Sequence, residues 1–243
     1  VQIRAGDSRD YSDAQVIVIT AGAKQAPGES RLNLLQKNAA IIEEIVDEIV
    51  AQKSQAVLLI ASNPVDILTQ VALKRSGWTK NRVIGSGTVL DSARFRYLIS
   101  QHCKVDVGNV HAYILGEHGD SEVAAWSMTH VAGVTMDSYC PQCGNCRDWH
   151  GERDRIVREV KDSAYHIINY KGSTYFGIGM SLARIVGTIL QDQNSVLTVS
   201  TYLEGEYGLH DVCLSIPCVV GQGGVKRIVQ TELYPEEQSA LER

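Results

Sequence analysis

The chain has 243 residues, of which 44% are hydrophobic and 21% are charged, and its formal net charge is −5. This length can bury one large core or two small ones, and the negative charge argues against nucleic acid or an anionic membrane surface as a partner. No apolar run approaches the roughly twenty residues of a membrane span, so we expect no membrane segment. The six cysteines favour reduced thiols in the cytoplasm over a disulfide scaffold.

Residues 1–85 alternate between apolar runs and amphipathic segments. The chain opens on Val1-Gln2-Ile3, which we interpret as part of a strand. Continuous apolar runs predict buried parallel strands, and apolar residues at helical spacing predict helices. We predict strands at 15–20, 56–61 and 82–84, and helices at 31–52 and 65–76. This alternation favours an α/β fold with a partial doubly wound, Rossmann-type sheet.

The pattern changes near residue 85 to that of a mixed α+β domain. A helix follows directly, and the apolar stretch 111–115 predicts a strand end before a glycine-rich motif. Long amphipathic helices and antiparallel strands are expected further along, with a glycine turn at 221–224. We predict helices at 151–171 and 176–191, strands at 194–203 and 210–220, and a final helix from Pro235.

Three residues of this second part form a candidate catalytic group. His118 lies in the run Gly116-Glu117-His118-Gly119-Asp120, just after the apolar stretch. Asp91 and Arg94 are three residues apart, which places both side chains on one face of a helix. Imidazole, carboxylate and guanidinium together can transfer a proton and bind an anion. Taken singly, these residues favour simpler interpretations, namely a satisfied histidine and an exposed ion pair.

A glycine-rich phosphate-binding loop is missing from its usual place. Such a loop normally joins the first strand of a parallel sheet to a helix N-terminus. Gly85-Ser86-Gly87 and Gly177-Ile178-Gly179 are weak matches, because neither follows a strand with a third glycine in register. The last helix also stops abruptly at Arg243. We therefore expect the chain to be a fragment that lacks the opening βαβ unit.

Five motifs, taken together and in order, resemble the L-lactate dehydrogenases of the lactate/malate dehydrogenase superfamily. They are residues 21–31, 62–66, 91–94, 116–120 and 171–175. The resemblance extends along essentially the whole chain, although the family's N-terminal dinucleotide loop is absent. It implies NAD as the cofactor and pyruvate and L-lactate as substrates. It also implies that residues 1–85 are the remainder of an NAD-binding Rossmann domain and residues 86–243 a catalytic and substrate-binding domain.

The resemblance implies a role for each matching residue. His118 would donate the proton to the new hydroxyl, Asp91 would orient the imidazole, and Arg31 would polarise the ketone. The substrate-binding residues would be Gln25, Arg31, Asn63, Asp91, Arg94 and Thr174. The cofactor would lie along Gly22, Ala23, Ala61, Ser62, Asn63 and Ser86, several of which are small enough to let it approach the backbone.

Gln25 bears on the choice of substrate. Related malate dehydrogenases carry an arginine there, and a neutral amide would leave the second carboxylate of oxaloacetate uncompensated. Thr174 also favours the lactate enzymes, whereas the neighbouring Lys24 could partly replace the missing cation. Two alternatives stay open: a malate or other 2-hydroxyacid dehydrogenase, and a catalytically silent oligomerising fragment. Cofactor binding would distinguish the second alternative from an enzyme.

Arg96 and His111 form a second pair of cations. Arg96 is two residues beyond Arg94, so on a helix it points roughly 200° away from the substrate face. In bacterial lactate dehydrogenases the matching positions bind fructose 1,6-bisphosphate between subunits. The resemblance thus implies an allosteric effector and a homotetramer, although two unrelated surface cations would give the same pattern.

The run Cys140-Pro-Gln-Cys143-Gly-Asn-Cys146, followed by His150, has the spacing of a metal knuckle. A Cys3His zinc site is possible, but no second half of such a motif follows. Reduced thiols are the favoured interpretation and a redox-sensitive pair is the other alternative. We therefore assign no metal from the sequence.

Overall fold

The computed structural model describes residues 2–23, 28, 30–145, 148–171 and 174–243, without the side chains of residues 31, 164–169 and 171. The helices are α1 (Arg31–Ala51), α2 (Val65–Ser76), α3 (Val89–Cys103), α4 (Met136–Cys143), α5 (Trp149–Lys171), α6 (Phe176–Leu190) and α7 (Pro235–Leu241). The strands are β1 (Val16–Ile19), β2 (Val57–Ile60), β3 (Val83–Gly85), β4 (Val110–His111), β5 (Ile114–Leu115), β6 (Val123–Ala124), β7 (His130–Val131), β8 (Val134–Thr135), β9 (Ser195–Glu204), β10 (His210–Gly221) and β11 (Gly224–Ile228).

One six-stranded sheet joins the two halves of the chain, in the order β1-β2-β3-β9-β10-β11. The first three strands are parallel, and β3 pairs antiparallel with β9 where Gly85 faces Ser200. Strands β10 and β11 continue antiparallel through a tight turn in which Gly223 has a φ of 84°. The predicted fold class is therefore confirmed, with a mixed sheet in place of two separate ones.

Apolar burial explains why these segments pack as they do. Strand β2 is buried along its whole length, as its uninterrupted Val-Leu-Leu-Ile sequence requires. Helix α1 turns Ile42, Val46 and Ile49 towards β1, β2 and α2. On the other side, α6 buries Ile185 and Ile189 against β9 and β10. A further cluster lies beneath α3 and α5 and includes Phe95 and Ile156.

The start of α3 is held in place by the mixed sheet. Gly87 has a φ of 52°, and a Cβ there would come within 2.6 Å of the backbone nitrogen of Ser200, so only glycine fits. Thr88 donates its backbone N–H to the carbonyl oxygen of Thr198 and its hydroxyl to that of Ile114. These contacts fix the first turn of α3, which carries Asp91.

One local expectation was wrong, and two details go beyond the predictions. Gln2 and Ile3 form no strand, and Ile3 is 94% exposed because no neighbouring strand covers it in the described part of the chain. The apolar stretch 111–115 ends in a strand before the glycine-rich motif, as predicted, but it contributes to both β4 and β5, which pair with different partners. Cys140 and Cys143, the first two cysteines of the run 140–146, belong to helix α4.

Candidate active site

The carboxyl ends of β1, β2 and β3 meet at one edge of the sheet. In the parallel register Ile19 pairs with Ile60, and Ile60 pairs with Gly85. The six predicted cofactor-binding residues follow these positions directly: Gly22, Ala23, Ala61, Ser62, Asn63 and Ser86. Ligands of open α/β sheets bind outside the carboxyl ends of the strands, so this edge is a suitable cofactor site.

Asn38 on α1 connects two of these strand ends, and sequence reasoning missed it. Its side-chain oxygen accepts the backbone N–H of Ala23 at 2.7 Å, and its amide donates to the carbonyl oxygen of Asn63 at 3.0 Å. A Cβ added to Gly22 would lie 3.5 Å from the side-chain oxygen of Asn38, which is an ordinary van der Waals contact. No sequence motif marks Asn38, because its function is to position backbone.

His118, Asp91 and Arg94 are brought together, as predicted from the sequence. The Nδ1 atom of His118 lies 2.6 Å from Oδ2 of Asp91, and Nη1 of Arg94 donates to the other carboxylate oxygen at 3.2 Å. The Asp91 side chain is only 4% exposed, whereas that of His118 is 28% exposed. One buried carboxylate therefore orients both a proton carrier and an anion-binding group.

Hydrogen bonds from two directions hold the loop that carries His118. Gly116 exchanges two backbone hydrogen bonds with Ser215 on β10. The backbone N–H of His118 donates to Oδ2 of Asp66 at 2.9 Å, and Asp66 lies in the first turn of α2. Because Asn63 precedes α2 by only two residues, this contact also ties the His118 loop to the predicted substrate-binding loop.

Two buried carboxyl groups beside His118 were not expected. Glu122 is 7% exposed and Asp66 is 5% exposed, and each has one oxygen without a hydrogen-bond partner among the described residues. Burial and the negative charge of Asp91 raise the pKa of Glu122 to about 8. Burial also raises the pKa of Asp66. Asp66 lies within a recognised motif and Glu122 lies two residues beyond one, but nothing in their spacing predicts burial.

The surroundings of His118 stabilise its charged form. Burial lowers the pKa of the imidazole, but the hydrogen bond and charge of Asp91 outweigh this effect, with smaller contributions from Asp66 and Glu122. The net result is a pKa above the ordinary histidine value. An imidazolium can therefore persist at this position and deliver a proton to a bound molecule.

The remaining predicted substrate residues are only partly described. Arg31 is the first residue of α1, with Ser30 as its N-cap, but its side chain lies outside the described residues, as do Gln25 and Lys24. Thr174 is half-buried just before α6. A Cβ on Gly177 would lie 3.2 Å from Leu90, so α6 packs closely against the turn that carries Asp91.

Arg96 and His111 are the two cations of the predicted effector site. Arg96 is half-buried, and burial lowers its pKa, with a further lowering by the positive charge of Arg184. His111 is exposed on β4 and pairs across the strands with His130. No contact among the described residues joins Arg96 to His111.

A cleft of about 1130 Å³ lies between α2, α5, β10 and α7. Asp66 and Glu122 line it, but the side chains of Asp91, Arg94 and His118 do not. The cleft therefore reaches Asp66 and Glu122 but is not the predicted substrate site.

No helix in the described part of the chain is long and apolar enough to cross a membrane.

Comparison with known proteins identifies the family to which this chain belongs. Residues 1–85 match the model of the lactate/malate dehydrogenase NAD-binding domain, and residues 88–243 match that of the alpha/beta C-terminal domain. The chain belongs to the lactate/malate dehydrogenase family. An L-lactate dehydrogenase of Treponema denticola is 57% identical over 243 residues, which are all of this chain and 77% of the relative. One from Acetivibrio thermocellus is 50% identical over all of this chain and 76% of the relative.

Solved structures of the family superpose closely on the fold. A lactate dehydrogenase from a Medee basin deep-sea metagenome library aligns with a TM-score of 0.95 and 44% identity, over 98% of this chain and 76% of that one. The minor L-lactate dehydrogenase of Enterococcus mundtii gives a TM-score of 0.93 and 43% identity, over 98% and 75%. The predictions of an oxidoreductase and of NAD as its cofactor are confirmed by the family and its NAD-binding domain.

Proposed function

We propose that this member of the lactate/malate dehydrogenase family interconverts pyruvate and L-lactate. The observation that carries the proposal is the shared carboxylate of Asp91, which contacts both His118 and Arg94. A 2-keto acid offers a carboxylate and a carbonyl oxygen two bonds apart, so it requires an anion-binding group and a proton donor side by side. The L-lactate dehydrogenases to which the chain is similar support this substrate class.

In the proposed reaction, Arg94 binds the substrate carboxylate. Its guanidinium has five N–H donors and the contact with Asp91 uses one, so a pair of parallel hydrogen bonds to a carboxylate remains possible. The imidazolium of His118 then donates its proton to the carbonyl oxygen as the hydroxyl forms, and Asp91 keeps the ring oriented. In the reverse direction the neutral imidazole removes that proton.

NADH, when bound, supplies the hydride to the carbonyl carbon. We propose that Gly22, Ala23, Ala61, Ser62, Asn63 and Ser86 bind it along the sheet edge. The short side chains leave the backbone accessible there, and Asn38 keeps the ends of β1 and β2 together. Arg31 at the start of α1 would polarise the carbonyl, and Asn63 and Thr174 would line the substrate pocket. Residues 1–85 and 86–243 would be the cofactor-binding and catalytic domains.

The choice between pyruvate and oxaloacetate is tested at Gln25. The catalytic efficiency kcat/KM is measured for both keto acids in the wild type, in Gln25→Arg and in the control Gln222→Arg, on an exposed turn remote from the motif. We expect the wild type to prefer pyruvate and only Gln25→Arg to shift towards oxaloacetate, because a buried carboxylate needs a paired cation. A wild type that prefers oxaloacetate would favour a malate dehydrogenase instead.

We further propose that fructose 1,6-bisphosphate activates the enzyme as a homotetramer. The half-buried Arg96 lies near a second cation, Arg184, and no carboxylate among the described residues is within ion-pair distance of it. A half-buried cation without a carboxylate, together with His111 as the second cation of the predicted site, favours a phosphate ligand. Arg96→Gln should remove activation and effector-dependent assembly in sedimentation, whereas Arg75→Gln on α2 should retain both. Activation that survives Arg96→Gln would require a different effector site.

The cytoplasmic location that the sequence favours stays a prediction.

A further inference from the structure

A cluster of sulfur and nitrogen ligands lies at the end of α3 opposite to Asp91. His102 in the last turn of α3 meets Cys140 and Cys143 of α4, and one potential ligand atom from each lies within 4.8 Å of the others. The spacing in the sequence suggests His150 as the partner of these thiols. The fold supplies His102 instead, from a segment 38 residues before Cys140.

The distances suit a tetrahedral metal ion. The Nε2 atom of His102 lies 3.6 Å from Sγ of Cys140. Zinc–sulfur and zinc–nitrogen bonds of about 2.3 and 2.1 Å, at a tetrahedral angle, place the two ligand atoms about 3.6 Å apart. Cys140 and Cys143 are one helical turn apart, so both sulfur atoms lie on the same face of α4. The Cys143 thiol now donates to the carbonyl oxygen of Cys140 at 3.1 Å, and it would exchange this hydrogen bond for the metal.

The surroundings of His102 resemble the outer shell of a metal site. Its other ring nitrogen, Nδ1, lies 3.5 Å from Oε2 of Glu152, and Glu152 is itself held by two hydrogen bonds from Arg155. Histidines that bind metals commonly present their second nitrogen to a carboxylate, which fixes the orientation of the ring. The His102 side chain is 5% exposed, and Cys140 is buried.

Two other cysteines, both in β10, serve as a reference for the cysteines of α4. Cys213 and Cys218 are buried within β10, and burial raises the pKa of each to about 12. Neither belongs to a group of potential ligands among the described residues. They therefore provide matched controls for the cysteines of α4.

We propose that His102, Cys140 and Cys143 bind one thiophilic divalent cation of the Zn²⁺ class. Two thiolates and an imidazole are a ligand set that zinc prefers, and water or another donor would fill the fourth position. The ion would link the last turn of α3 to α4. Since α3 also carries Asp91 and Arg94, the ion would brace the helix that positions the proposed catalytic group, without touching the substrate.

Cobalt is the probe for the test, because Co²⁺ bound to thiolates absorbs strongly in the near ultraviolet. The enzyme is reduced, freed of metal under anaerobic conditions and titrated with Co²⁺. We expect a sulfur-to-metal band that saturates near one equivalent. Cys143→Ser, at a half-buried position that should tolerate the change, is expected to lose the band. Glu152→Gln should weaken binding about 10- to 100-fold, whereas Cys213→Ala and Cys218→Ala should keep the wild-type titration.

Zinc provides a second readout that does not depend on activity. At about a hundredfold excess over its dissociation constant, Zn²⁺ should raise the melting temperature of the wild type by roughly 5 °C or more but leave Cys143→Ser nearly unchanged. The proposal is overturned if no stoichiometric band forms, or if the band is intact in Cys143→Ser. It is also overturned if Co²⁺ binds without a sulfur band, since that would indicate the oxygen-rich group of Asp91, His118 and Glu122.

Discussion

His118, which contacts Asp91 of α3, and His102, in the last turn of α3, both have Nδ1 facing a carboxylate, yet their pKa values shift in opposite directions. His118 is 2.6 Å from a carboxylate of Asp91 that is 4% exposed, and its pKa is raised. His102 is 3.5 Å from Glu152, which is 29% exposed and bound to Arg155. Burial lowers the pKa of His102, and the charge of Glu152 does not compensate.

The difference shows how the same pair of residue types can serve two purposes. A close, buried carboxylate stabilises the imidazolium and suits proton transfer. A more distant carboxylate, already neutralised by an arginine, leaves the imidazole neutral and able to bind a metal. The distance and burial of the carboxylate, more than its presence, decide between these two uses.

The largest expected effect comes from removing the proton donor. His118→Asn should lower kcat for pyruvate reduction by about 10²–10⁴-fold, because a positioned proton donor contributes that much. NADH binding, followed by fluorescence, should stay nearly unchanged. His210→Asn, at an exposed histidine, is the control and should keep wild-type turnover. A loss of less than tenfold would mean that His118 is not the proton donor.

A smaller loss is expected from Arg94→Lys. Lysine keeps the positive charge but cannot form two parallel hydrogen bonds to a carboxylate. Losing a hydrogen bond to a charged group costs about 1.5–3 kcal/mol, which corresponds to roughly 10- to 150-fold in kcat/KM. The matched control is Arg158→Lys on α5. Equal kcat/KM in both variants would contradict the proposed contact with the substrate carboxylate.

The order of helices and strands could be predicted from the sequence because it depends on local apolar patterns. The strand at 56–61 and the helix at 65–76 lie within one residue of β2 and α2. The pairing of β3 with β9 could not be predicted, because two strands more than 110 residues apart in the sequence share no periodic signal. The same holds for His102, whose position beside Cys140 depends on how α3 packs on α4.

The candidate site was predictable to the extent that its residues stand in motifs. Asp91, Arg94 and His118 meet as expected, because one helix face and one strand end determine their positions. Asp66 and Glu122 were missed, because a charged residue in the first turn of a helix or in a loop is normally solvated. Only packing shows that both are buried beside His118.

The pH dependence of turnover tests the origin of the raised pKa of His118. In the proposed reaction the imidazolium donates the proton, so the rate of pyruvate reduction should fall as the pH rises through the pKa of His118. Asp91→Asn removes the largest of the contributions that raise this pKa, and the descending limb should move to lower pH. Asp162→Asn, at an exposed position on α5, should leave the limb in place. An unmoved limb in Asp91→Asn would assign the titration to another group.

A last comparison concerns stability, and it sets Glu122 beside His118 against Glu152 beside His102. In the folded protein the pKa of Glu122 is raised from 4.5 to about 8, chiefly by burial. The unfolded chain therefore releases this proton first, and the contribution of Glu122 to stability is full below about pH 4.5 and is lost as the pH rises towards 8. Glu122→Gln cannot ionise. Its melting temperature, relative to the wild type, should thus increase between pH 5 and pH 9.

Glu152 should show the opposite sign. The hydrogen bond from Arg155 lowers its pKa in the folded protein, so its contribution is present above the unfolded pKa and is lost as the pH falls through the folded value. Glu152→Gln should therefore be less stable than the wild type near neutral pH and approach it in acid. The measurement is the melting temperature of the three proteins across pH 3–9, with reduced thiols and no added metal. If the two variants changed in the same direction with pH, the contrast between the two carboxyl groups would be refuted.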